Sequence, residues 1–295
     1  MSTIILCGLC FLCGIIFLLL LLGYQKKSRI YNSKKYYNDR SYGKCYITGD
    51  KHRNFQTVEL FCKEVKTCKS DILIVLGDAG INYYEDYRDY ELKTKLSRLN
   101  ITLLCIHGNK EKRPQDIPSY GIKNLCGGKV YYEPQYPNIC FAIDGEIYTL
   151  ENRQYIVCGG AHSIDKIICL EKHKPFWDNE IPDEKIKAQF ENQLKCSNNK
   201  IYGIFTHTCP LKYLPKEMFV SVKQNIKQKT RHKKKNRKRC TQKPFQPDID
   251  RTTESWLDSI EENIDYSIWF CGHYHVDKNI DKIVMMYNEI RPLHI

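Results

Sequence analysis

The chain has 295 residues, 42% hydrophobic and 27% charged, which is a globular rather than a disordered composition. Its 15 cysteines are an odd number in a chain long enough to bury a core unaided, which excludes a small disulfide scaffold and points to a reducing compartment. The net charge of +12 is concentrated: residues 223–243 carry 11 cations and no acid, residues 25–44 a net +6, and the remainder is mildly acidic.

Thr3–Gly23 is an uncharged apolar run of 21 residues. About 20 residues at 1.5 Å each cross a hydrocarbon core, so this run predicts a transmembrane helix. No basic segment precedes it and no small-x-small cleavage site follows it, which argues against a removed signal peptide. Lys26, Lys27, Arg29, Lys34 and Lys35 follow at once, so the flank charge places the body on the cytoplasmic side. Residues 24–44 then read as a basic linker without sustained periodicity.

From residue 45 the pattern alternates: strand 45–49, helix 54–67, strand 71–76, helix 86–99, strand 101–106. That is the signature of an α/β sheet, in which ligands bind at the strand ends. The middle of the chain (KVYYE, ICFAIDGEIYTL, QYIVCGG) has short alternating runs around an expected Asp144-Gly145 turn. These predict antiparallel hairpins and a second sheet. A polar helix near 183–196, a buried strand in IYGIFTHT, and a helix in TTESWLDSIEENI capped by Thr252 or Thr253 follow. WFCGHYH and KIVMMYN read as the last strands. There is no internal repeat, so residues 45–295 are expected to form one domain with an insertion at about 223–244.

The insertion has almost no apolar residues and is expected to be disordered. Lys233, Lys234, Lys235, Arg237, Lys238 and Arg239 make it a candidate anionic-surface binder. Three readings stay open: a solvated charge run, a clamp on nucleic-acid phosphates, and a patch held on anionic lipid beside the anchor. No aromatic residue interleaves the cations, which argues against base stacking.

Polar groups recur at the predicted strand ends: Gly49-Asp50-Lys51-His52, Gly77-Asp78-Ala79-Gly80, Gly108-Asn109, His207, and Gly272-His273-Tyr274-His275. Carboxylate, amide oxygen and imidazole form a mixed O/N donor set, suited to Mn, Fe, Zn or Co rather than to a thiolate zinc finger. A glycine beside each donor is expected to let the backbone turn tightly. Each motif alone is weak, since Gly-Asp is an ordinary turn and a lone His is commonly a core residue. Their ordered recurrence after successive strands is the signal.

In that order the motifs resemble the signature of the calcineurin-like metallophosphoesterase family, D-x-H, G-D-x-x, G-N-H-[DE], a later His and G-H-x-H, over about residues 45–290. The resemblance implies a four-layer αββα sandwich of two stacked mixed sheets flanked by helices. It further implies two divalent metal ions, with Mn the first choice in vitro. Asp50, His52 and His275 would hold one ion, Asn109, His207 and His273 the other, and Asp78 would bridge them. The implied activity is hydrolysis of a phosphoester, as a phosphatase or a phosphodiesterase.

One motif departs from the family: Lys110 stands where the leaving-group acid, a His, is expected. A lysine of ordinary pKa about 10.4 is a poor acid near neutrality but can steady a phosphate oxygen. Asp78, Asn109, Lys110 and His107 are therefore the candidate catalytic residues, with His107 and His162 as alternative proton donors or organisers of the metal ligands. Glu111 is expected to orient its neighbours, and Asp144 to be a turn residue. The alternative reading is a metal-binding scaffold, or a lipid- or nucleic-acid-binding protein, impaired in turnover by Lys110.

Overall fold

The computed structural model describes residues 43–163, 169, 175–215 and 250–294. The expected anchor (1–23), nearly all of the linker and the basic insertion, with Lys233, Lys234, Lys235, Arg237, Lys238 and Arg239, lie outside the described residues. Among the described residues no helix is long and apolar enough to cross a membrane.

The first half alternates as predicted. Strands β1 (Cys45–Thr48), β2 (Ile72–Val75) and β3 (Thr102–Cys105) run parallel, with helices α1 (Gln56–Val65) and α2 (Tyr87–Ser97) between them. Asp86 caps α2 by accepting the Arg88 N–H. Helix α1 has no side-chain N-cap and ends on Lys66 in the left-handed conformation, whose N–H bonds back to the Cys62 carbonyl. Strands β4 (Gly121–Leu125), β5 (Gly128–Tyr132) and β6 (Ile139–Ala142) complete one side of the sheet, and β13 (Ile290–Pro292) the other, giving the order β13-β1-β2-β3-β6-β5-β4.

The second sheet has the order β11-β12-β10-β9-β8-β7. It comprises β7 (Ile147–Leu150), β8 (Arg153–Cys158), β9 (Gly203–Thr206), β10 (Ile268–Cys271), β11 (Lys278–Ile280) and β12 (Ile283–Met285). Helix α3 (Glu184–Cys196), capped by Asp183, precedes β9, and α4 (Thr252–Glu261) precedes β10. Both sheets are mixed.

Alternation along the strands assigns the layers. Ile47, Ile74, Leu104, Val157, Phe205 and Phe270 meet between the sheets. Tyr46, Leu73 and Leu103 face Val58 and Phe61 of α1 and Leu96 of α2. On the far side Ile204 and Trp269 pack against Phe190 of α3 and Leu257 of α4. The central strands β1, β2, β6 and β9 are buried on both faces, and each fully buried aliphatic or aromatic side chain contributes about 1.5–3 kcal/mol.

Two local expectations are corrected. Asp144-Gly145 does not close a hairpin: β6 lies in the first sheet and β7 in the second, so the turn carries the chain across. Asp144 is fixed there by an ion pair with Arg113 at 2.6 Å and by the Gly159 N–H at 2.6 Å. Gly145, at φ +83°, donates to the Val157 carbonyl. An alternating run reads the same in either sheet, so periodicity could not name its partner. Thr252 and Thr253 do not cap α4 but lie in its first turn, where the Asp250 side chain accepts the Thr252 N–H. Strands β11 and β13, of three residues each, had no sequence signal.

Candidate metal centre

The predicted donors lie where parallel strands of both sheets end. Asp50 and His52 follow β1, Asp78 follows β2, Asn109 follows β3, His207 follows β9, and His273 and His275 follow β10. All seven converge on one cluster. His52 Nε2 and His275 Nε2 lie 2.8 Å apart. Asp50 Oδ2 is 3.2 Å from His275 Nε2 and 3.7 Å from His52 Nε2. Asn109 Oδ1 is 2.8 Å from His207 Nε2 and 3.1 Å from His273 Nδ1. Asp78 lies between the halves, with Oδ2 3.8 Å from His52 Nε2 and Oδ1 3.6 Å from His207 Nε2.

The backbone holds these donors at a cost. His52, Asp78, His273 and His275 have φ of 42°, 45°, 67° and 52°, a region that non-glycine residues seldom occupy. The glycines beside the donors do more than the expected turning. Gly272 has no positive φ, yet a Cβ there would lie 2.3 Å from Asp50 Oδ1 and 2.6 Å from the Leu76 carbonyl oxygen. Its role is clearance between ligand loops. Gly77 combines both roles, with φ +91° and a Cβ that would meet His207 Nδ1 at 2.0 Å.

The electrostatics suit a cation. Burial raises the Asp50 carboxyl, but the His275 side chain, the His207 and His275 rings and the His273 N–H outweigh it and hold it at about 2. Burial pushes His273 down to about 3, helped by His207, and also lowers His52 against the pull of Asp78 and Asp50. His275 moves up through its contact with Asp50. Burial, partly offset by His207, raises Asp78. His207 Nδ1 lies 2.8 Å from the Leu76 carbonyl oxygen, which can only accept, so in the neutral ring the proton sits on Nδ1. Nε2 then offers a lone pair to the same space as Asn109 Oδ1. Two acceptors facing at 2.8 Å beside the buried Asp50 carboxylate fit a bound cation. Asp50, His52 and His275 form one triad able to hold a metal ion, and Asp50, Asp78 and His207 another.

The remaining predicted residues fall at different distances from this chemistry. Lys110 donates its backbone N–H to Asp78 Oδ1 at 2.7 Å, while its ammonium lies 3.9 Å from Cys169 Sγ. His107 hydrogen-bonds to none of the seven: it is 3% exposed, and both ring nitrogens are buried without a hydrogen-bond partner. Burial, with Arg113 adding, holds its pKa well below the usual imidazole range. This placement does not suit an acid that must reach a leaving group. Glu111 accepts the N–H groups of Gly80, Ile81 and Gly108 and so ties the Asp78 loop to the Asn109 loop. Cys105, Cys209 and Cys271 pack in the apolar layers.

Two groups at the site were not singled out from the sequence. Ser163 Oγ accepts from Asn109 Nδ2 at 2.7 Å, and Glu180 Oε1 accepts the Ser163 N–H at 3.1 Å. Ser163 stands in a Gly-Gly-Ala-His-Ser run after β8, a strand-end signal of the same kind as the others. Glu180 carries no local signal.

The fold is an α/β sandwich with an O/N donor cluster, able to hold metal ions, at the meeting ends of its two sheets. The model of the calcineurin-like phosphoesterase family matches residues 43–277, and the chain belongs to that family. Among solved structures it is similar to the protein TT1561 of Thermus thermophilus, at 11% identity over 83% of this chain and 89% of that one, with a TM-score of 0.42. No curated protein matches.

Proposed function

We infer that the protein is a dimetal phosphoester hydrolase. The observation that carries this reading is the position of Asp78, whose two carboxylate oxygens face His52 on one side and His207 on the other. Asp50, His52 and His275 would hold one divalent ion, Asn109, His207 and His273 the second, and Asp78 would serve both. Such a pair polarises a phosphoryl oxygen and supplies a nucleophile from water at neutral pH. The residues bring orientation and charge: Asp50 remains ionised at neutral pH, burial keeps His273 neutral, and the N–H of Lys110 fixes the Asp78 carboxylate. The Lys110 ammonium, near Cys169, would serve as a fixed cation for a phosphate oxygen rather than as the leaving-group acid.

The proposal extends to placement. The apolar run Thr3–Gly23 and the cations that follow it support a single-pass anchor with the phosphoesterase domain facing the cytoplasm. The basic segment 223–243 would lie against anionic lipid. Resistance of the full chain to alkaline carbonate extraction checks the anchor; release into the supernatant contradicts it.

The activity test uses the full chain in detergent, loaded with Mn²⁺, on an aryl phosphomonoester and an aryl phosphodiester, with Asp78→Asn as the blank. Turnover that falls at least about 10³-fold in Asp78→Asn establishes the reading, and the better ester separates phosphatase from phosphodiesterase. Two bound ions without turnover would favour the metal-binding scaffold instead. Lys110→His should accelerate alkyl esters more than aryl esters; equal effects on both would show that the missing acid is not what limits the enzyme.

A further inference from the structure

We propose that Tyr287 is a positioning residue whose ring is the platform that holds the imidazole of His275 in the plane from which Nε2 meets its ion. The proposal rests on the dimetal reading and adds to it a group, on the loop after β12, that none of the ligand motifs contains.

A histidine that binds a metal through one ring nitrogen is ordinarily oriented by a hydrogen bond at the other. His207 follows that rule through Nδ1 and the Leu76 carbonyl. His275 does not. Its contacts with His52 at 2.8 Å and with Asp50 at 3.2 Å are both made by Nε2, and among the described residues its Nδ1 has no hydrogen-bond partner. The side chain is 44% exposed, so contacts at one atom leave the ring free to swing about it. The face of the ring supplies the missing constraint. Tyr287 stacks on it with centroids 4.6 Å apart and planes inclined by 16°. His52 meets the same ring edge-on, at 78°, and so does not fix its plane.

Tyr287 is itself held from both sides of the ligand triad. Asp277 Oδ1 accepts the Tyr287 N–H at 2.7 Å, Asp277 Oδ2 accepts the Asn288 N–H at 3.2 Å, and the Lys51 ammonium donates to the Tyr287 carbonyl at 2.9 Å. A peptide N–H and an ammonium can only donate, so none of these bonds can run the other way. Asp277 lies two residues after His275, and Lys51 stands between Asp50 and His52. The platform is thus tied to both chain segments that carry the three ligands of this ion.

A stack raises affinity only by what it adds in the bound state over the free one. Two differences act in that direction. A ring already held in its plane loses less side-chain freedom when the ion arrives. An imidazole that gives its lone pair to a dication also becomes electron-poor, and the negative face of the phenol ring attracts it more strongly than before. Both effects belong to the ring and not to its hydroxyl.

The test compares ring, ring without hydroxyl, and no ring. The full chain, purified in detergent, is titrated with Mn²⁺; bound ions are counted by atomic emission and free Mn²⁺ is followed by electron paramagnetic resonance. Wild type should bind two ions per chain. Fewer than two overturns the dimetal reading before any Tyr287 variant is made, and the platform is then judged on the ion that His275→Ala removes. Tyr287→Leu keeps an apolar side chain and removes the ring, so it should weaken that ion about 3- to 10-fold and change the other less than about twofold. Tyr287→Phe should stay within about twofold of wild type for both. In the His275→Ala background nothing is left to stack, and adding Tyr287→Leu should change the remaining ion less than about twofold. Unchanged affinity in Tyr287→Leu overturns the proposal, as does an equal loss in Tyr287→Phe, which would place the effect in the hydroxyl. A weakened remaining ion in the His275→Ala background, or failure of Tyr287→Leu to fold by circular dichroism, overturns it too, because the ring would then support the fold rather than the ligand.

Discussion

The triad of Asp50, His52 and His275 stands at the mouth of the centre, with the two imidazoles 37% and 44% exposed, whereas His207 on the other side is 0% exposed. The open half makes few fixed contacts: its rings face each other, and Tyr287 stacks on His275 at 4.6 Å. The closed half is braced throughout, His207 by the Leu76 carbonyl and Asn109 by Ser163. The same ligand chemistry is thus installed in two ways, once with a fully buried imidazole and once with two imidazoles at the surface over the buried Asp50. Damage to the closed half should therefore cost stability as well as metal, and damage to the open half mainly metal.

His207→Ala is the strongest way to break this contrast. It empties a fully buried volume, strips the Leu76 carbonyl of its partner and removes a ligand, so metal-free protein should lose about 3 kcal/mol. For a domain of this size that lowers Tm by roughly 6–12 °C, measured by calorimetry after chelator treatment. Gly272→Ala comes next: its methyl group meets both Asp50 and the Leu76 carbonyl, and about 2 kcal/mol should go with weakened binding of both ions. His275→Ala should cost under about 1 kcal/mol in metal-free protein yet remove one bound ion. If His275→Ala destabilises as much as His207→Ala, the two halves are not built differently.

The smallest effect is on pH dependence, where His273 and His275 contribute with opposite sign. His273 sits near 3 when folded and near 6.5 when unfolded, so below 6.5 the unfolded chain takes up a proton that the native state refuses. Metal-free stability should fall as pH drops from about 6.5 toward 3. Asp50 adds to this loss only between about 4 and 2. His275 is raised, so its contribution is fully present below 6.5 and is lost as pH climbs through its folded value. Urea unfolding between pH 5 and 8 should show the alkaline decline flattened in His275→Ala and the acid decline retained. An unchanged alkaline limb would assign that decline to another group.

Reading the sequence went furthest where the signal was local. Short β-branched runs ending in Gly plus a polar residue marked β2 and β3, similar Gly-polar ends followed β1 and β10, and the donors after them meet in space. Long-range choices left no such mark. Nothing in ICFAIDGEIYTL says that the chain changes sheets at Asp144, because that depends on Arg113 and Gly159. Glycines beside the donors were read as turns, yet Gly272 is a matter of clearance from Asp50, 222 residues earlier in the chain. Glu180, which accepts the Ser163 N–H, carries no local signal, whereas Ser163 follows β8 in a strand-end run like those of the ligands. His107 followed the strand-end pattern and is nonetheless buried away from hydrogen-bonding partners.

Strand β13 pairs antiparallel with β1, the first strand of the domain, and His52 meets His275 across 223 residues of chain. On a ribosome adding about 5–20 residues per second, the first ligands therefore wait on the order of 10–45 s for the last. Throughout that interval the nascent chain exposes the edge of β1 that β13 will later cover, and it has Asp50 and His52 without His275. The outer edge of β1 and the open half of the site are therefore both completed only when residues 275–292 have emerged.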